Sequence, residues 1–121
     1  MAATACLWLV DDEGRRTADR LPFLDERGEL DVEQALGDLV RILEALDAPQ
    51  IFAEGETVVD ADEVHSLAES LVPWSELSDA MDLDELPHVD FDGVEESYER
   101  FRALVEHAAR AGLGLGMRLL A

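Results

Sequence analysis

The chain has 121 residues, with 29 Asp or Glu against 9 Arg, no Lys and no Asn, for a formal charge of −20. That charge repels phosphate and argues against direct binding to DNA, RNA or an anionic membrane. The missing Lys excludes Schiff-base catalysis, a Walker-type phosphate loop and a protein-kinase site. Lys and Asn share AT-rich codons, so a GC-rich genome explains their joint absence but not the acid excess, since Arg was available as the basic choice.

The hydrophobic fraction of 48% includes 19 Leu, far more aliphatic content than a disordered acidic chain carries. A single compact acidic domain over 1–121 is expected, large enough to bury a core without staples. Ala5–Val10 is apolar at every position and reads as a strand covered on both faces. Cys6 in that run has no Cys partner, which rules out a disulfide framework within one chain and a Cys-based zinc cluster; it reads as buried and inert. The N-terminus lacks a basic region and the run is too short to span a bilayer, so a cytoplasmic protein without signal peptide or membrane span is expected.

Asp11–Gly14 reads as a turn, and Leu21, Phe23 and Leu24 as a short strand that Pro22 confines to an edge. A helix is expected from Asp31, capped by that residue and Gln34, with Val32, Leu36, Leu39, Leu43 and Leu46 as its apolar stripe and Pro49 beyond its end. Gln50–Glu54 resembles a strand, with Gly55-Glu56 turning it into Thr57–Val59. Asp60 and Glu63 form a second capping box, opening a helix with Val64, Leu67 and Leu71 inward that Pro73 ends. Trp74–Met81 adds a helical turn, and Asp82–Asp92 reads as a loop. Asp92 and Glu95 form a third box before a long helix with Val94, Tyr98, Phe101, Val105 and Ala108 inward. Gly112 suits the cap after it, and the last strand turns Leu113, Leu115, Met117 and Leu119 inward. Strands alternating with helices give a small layered α/β or α+β fold: three or four mostly parallel strands against three main helices. The closing helix, Gly turn and final strand resemble the layout of small bacterial inhibitors such as barstar. The likeness is confined to that stretch, and no residue role carries over with it.

Few residues suggest chemistry. The glycines of Gly112–Gly116 follow a helix rather than a strand, so they do not make a dinucleotide loop; small outward residues there let another group approach closely. Counted from His88, the stretch to Glu99 places Asp, Asp, Gly and Glu at positions 3, 5, 6 and 12, as in an EF-hand calcium loop, with Asp90, Asp92 and Glu99 as the implied weak ligands. It departs at position 1, where His replaces Asp, and at position 8, where Glu95 replaces an apolar residue. The rival reading makes Asp92 a helix cap and the glutamates partners of the helix dipole. His65 and Glu69 share one helix face but make no closed metal site. Neither an active site nor a cofactor is expected.

The charge is unevenly placed: Ile42–Glu99 holds 18 acids and no cation. Three functions compete. The first is a non-catalytic protein-binding domain, an inhibitor or immunity-type protein that masks the basic surface of a nuclease or other nucleic-acid-binding protein. Its contact surface is expected at Glu76, Asp79, Asp82, Asp84, Glu85, Asp90 and Asp92, with Trp74 as apolar anchor. The second is a globular domain from a high-salt or GC-rich source whose acidity serves solubility, and the third a small enzyme or weak cation-binding domain. The terminal strand, if placed at a sheet edge, would also allow a homodimer.

Overall fold

The computed structural model describes residues 4–17, 21–82 and 91–120. In chain order they form β1 (Thr4–Val10), β2 (Leu30–Asp31), a 3-10 turn (Glu33–Ala35), α1 (Leu36–Ala45), β3 (Gly55–Val59), α2 (Ala61–Ser70), α3 (Trp74–Leu77), α4 (Phe91–Ala111) and β4 (Gly114–Leu120). The four strands make one sheet in the order β2-β1-β4-β3, and every neighbouring pair is antiparallel. The expected mixed α/β class is therefore correct and the mostly parallel sheet is not. β1 and β3 do point the same way, as alternation of strands and helices implies. They are not neighbours, because β4 inserts between them in the opposite sense. Being internal, β4 also offers no edge on which a second copy could pair.

The helices pack on one face of the sheet. Leu7 and Leu9 of β1 and Leu115 and Met117 of β4 meet Leu39 and Leu43 of α1, Val64 and Leu67 of α2, and the Val94, Tyr98, Phe101, Val105 and Ala108 stripe of α4 in one buried cluster. Such spacing keeps one side of each helix inward, and each fully buried Leu or Phe contributes about 1.5–3 kcal/mol. Asp60 caps α2 as its sequence predicts, its carboxylate accepting from the Glu63 N–H at 2.8 Å. Gly112, at φ 70°, ends α4 while the Leu113 N–H reaches back to the Ala108 carbonyl at 2.8 Å.

Four local expectations are corrected. Asp31 closes β2, paired with Cys6, and its carboxylate accepts from the Glu33 N–H at 2.9 Å, so α1 begins only at Leu36. Residues 21–24 make turns rather than a strand, with Leu21, Phe23 and Leu24 packed on the core. Gly55-Glu56 is not a turn: it opens β3, whose pairing with β4 outweighs the weak strand pattern before it. Asp92 lies within α4, which starts one residue earlier.

The opposite, helix-free face of the sheet explains why β1 is apolar on both sides. Cys6, Trp8 and Val10 form a separate small cluster there. The Trp8 indole lies on Gly116, its partner in the β1–β4 register, where an added Cβ would overlap the ring. Arg16 covers the same ring at 4.3 Å from its centroid and Arg118 stands 5.5 Å away. Arg16 and Arg118 thus cover this face where no helix packs. Gly116→Ala is expected to destabilise the fold by about 1–3 kcal/mol through overpacking. Urea unfolding followed by tryptophan fluorescence checks this, and adding Trp8→Leu should recover part of the loss.

Candidate functional site

Cations are scarce, and where they sit decides which carboxylates stay uncompensated. Among the described residues, Arg15, Arg16, Arg27, Arg100, Arg102, Arg110 and Arg118 lie within ion-pair distance of a carboxylate. Arg16 reaches the buried Glu29 at 2.8 Å, and Arg27 adds a second contact to it at 3.8 Å. Arg118 meets Glu56 at 3.6 Å. On α4, Arg102 joins Glu99 at 2.6 Å and Glu106 at 3.4 Å, while Arg100 pairs with Glu96. These bonds hold the helix-free face together and lace the surface of α4.

Within Ile42–Glu99, Glu56, Glu96 and Glu99 are paired in this way. Among the described residues, Asp62 and Glu63 of α2, Glu76 of α3, Asp79, and Glu95 of α4 stand exposed without an ion pair. His65 meets Glu69 at 3.0 Å on the exposed side of α2, as the four-residue spacing implies. Between that side and α4 lies a groove of about 290 Å³ whose lining includes Ala68 and Ala109.

The expected contact surface is only partly assembled. Glu76, Asp79 and Asp82 are exposed on or just after α3, while Asp84, Glu85 and Asp90 lie outside the described residues, as does His88. Trp74 is half-buried, its ring centroid 6.0 Å from that of Tyr98, and its backbone N–H donates to Glu99 at 2.8 Å. The Tyr98 hydroxyl donates to the Val72 carbonyl at 2.5 Å. Trp74 therefore closes the core edge and fixes α3 against α4, which sets the position of Glu76 and Asp79. Glu99, at position 12 of the calcium-loop spacing, accepts from the Trp74 N–H and pairs with Arg102. Among the described residues no three His, Cys, Asp or Glu converge on a metal-sized position.

Glu29 and Arg118 are structural residues that the sequence pattern does not single out, because only the strand register brings them near Trp8, whereas Gly116 receives the close approach expected of its small outward position. Cys6 lines a cavity of about 320 Å³ beside Glu29 and Arg118. Burial, reinforced by the Glu29 carboxylate, pushes its thiol up from 9.0, which disfavours the reactive thiolate. Asp25 is held below its usual range, first by the Glu29 N–H and then by that of Arg27. Among the described residues no helix is long and apolar enough to cross a membrane. No protein-family model matches the chain, and no significant similarity links it to a curated protein or a solved structure. The layout resemblance to small bacterial inhibitors thus gains no support from a relative.

The tether between α3 and α4 is testable by pH. Burial pushes the Tyr98 phenol up from 10.0 to about 12. The folded chain then keeps this proton more tightly than the unfolded chain, so the associated stability is complete below pH 10 and is lost as pH rises towards 12. With no Lys and one Tyr in the chain, Cys6 is the only other side chain titrating there with the same sign. Urea midpoints should fall steeply over that window in the native chain. Tyr98→Phe should flatten the fall, while lowering neutral-pH stability by about 1 kcal/mol through loss of the bond to Val72.

Proposed function

We propose that the chain is a non-catalytic acidic domain that binds a basic protein, acting as an inhibitor or immunity-type partner over the cationic surface of a nuclease or another nucleic-acid-binding protein. The observation that carries this reading is the segregation of charge. Among the described residues, Arg16 and Arg118 at the sheet and Arg102 on α4 are engaged with carboxylates, while Asp62 and Glu63 of α2, Glu76 of α3 and Asp79 are exposed without an ion pair. A phosphate-binding channel is a basic surface of the complementary sign, and complementary fields speed association and make it sensitive to salt. The rigid placement of α3 by Tyr98 and Glu99 supports a preformed rather than a folding-on-binding surface. Neither nucleic acid, membrane nor cofactor enters this function.

Titration of the domain into assays of basic nucleases tests the reading. We expect saturable one-to-one inhibition, with an association rate that falls sharply between about 50 and 200 mM salt as the screening length shortens. Replacing Glu76 and Asp79 together by Arg should weaken the complex by on the order of tenfold or more. Failure to bind any basic protein at about 100 mM salt, where the screening length is about 10 Å, would falsify the proposal.

A further inference from the structure

The helix-free face carries a second acidic feature, separate from α3. Where β1 ends, β4 begins and β3 runs into α2, a cavity of about 300 Å³ is bordered by Asp11, Asp12, Asp60 and Asp62, with Val10 and Val58 as apolar walls. Gly114 forms part of its lining, and a Cβ there would stand 2.5 Å from the Val59 carbonyl oxygen and 3.2 Å from Val10, so the register leaves no room for a side chain. Among the described residues, no Arg, Lys or His lines the cavity.

The same region exposes apolar surface and an open strand. Val58 is 57% exposed and Leu120 49%, and both belong to the sheet face that carries Trp8 and Gly116. β3 is an edge strand, and among the described residues nothing pairs with its outer side. Such an edge accepts an added strand through main-chain hydrogen bonds. Charge selects the occupant. Glu56 is already paired with Arg118, but a second copy on this edge would bring the Glu54 and Asp60 carboxylates of both chains together, whereas a cationic strand would meet opposite charge at these two positions.

We propose that β3 is the docking edge for an extended, arginine-bearing segment of a protein partner, whose apolar residues cover Val58 while one guanidinium enters the aspartate cavity beside it. An Arg side chain suits this cavity because its methylenes pack on the valines and its planar head takes carboxylates in pairs. This docking presupposes the basic protein partner proposed above and adds the form in which that partner binds.

The test uses a short synthetic peptide of alternating Arg and Val, titrated into the isotope-labelled chain at about 100 mM salt. Saturable amide shifts at Glu56, Val58 and Asp62 are expected. Replacing Asp12 and Asp62 together by Arg should weaken binding by about tenfold or more, whereas the matching reversal of Glu76 and Asp79 should leave it within about twofold. Thermal melts confirm folding, and Asp12→Asn with Asp62→Asn replaces the reversal if that variant does not fold. An affinity indifferent to the aspartates, or shifts confined to α3, overturns docking at β3 while leaving a basic partner in place. Absence of saturable peptide binding also overturns the docking, and only absence of binding to basic nucleases as well removes the partner itself.

Discussion

Nine arginines must serve 29 carboxylates, and the places where they are used organise the rest of the molecule. Arg16 is the central case. It bonds the buried Glu29 at 2.8 Å and at the same time covers Trp8, which lies on Gly116. A buried carboxylate would be strongly unfavourable without this cation, and Trp8 would be left open to water without its cover. One guanidinium thus joins the 11–29 segment to the centre of the sheet. Arg118, held by Glu56, completes the same roof from β4.

The acidic middle of the chain is held by other means. α2 depends on its Asp60 cap and on Val64 and Leu67 in the core. α3 is fixed by the Trp74–Tyr98 packing and by the bonds of Glu99 and Tyr98 to the backbone around Pro73. None of these contacts needs Asp62, Glu63, Glu76 or Asp79 to be charged. Asp62, Glu63 and Glu76 stand in first helical turns, where they suit the helix dipole, while the mutual repulsion of these acids opposes folding weakly and is screened by salt. The proposed cationic partner would supply a reason for them.

What was legible in the sequence follows from which forces are local. The α4 stripe, the Asp60 cap, the Gly112 stop and the inward odd residues of β4 each depend on neighbours within one or two turns, and each is found where the pattern puts it. Strand order is a long-range property: nothing in Gly114–Leu120 states that it lies between β1 and β3, and so the antiparallel sheet was not foreseen. Asp31 shows the same limit on a smaller scale. Its cap-like spacing is real, but pairing with Cys6 draws it into β2, its carboxylate accepts from the Glu33 N–H, and α1 begins only at Leu36. Of the candidate site, the sign of the charge and its confinement to the middle of the chain were readable. The Trp74 contact with Tyr98 and the valine-walled aspartate cavity were not, because both join segments distant in sequence.

The central claim is that the fold does not require its excess negative charge. Its most direct test is unfolding free energy as a function of sodium chloride, from about 10 mM to 1 M, over which the screening length falls from about 30 to about 3 Å. The account predicts a folded, cooperative domain at the lowest salt, with stability that rises modestly and then levels as repulsion is screened. A chain that is unfolded in dilute buffer and folds only near molar salt would contradict it and assign the acidity to life in brine.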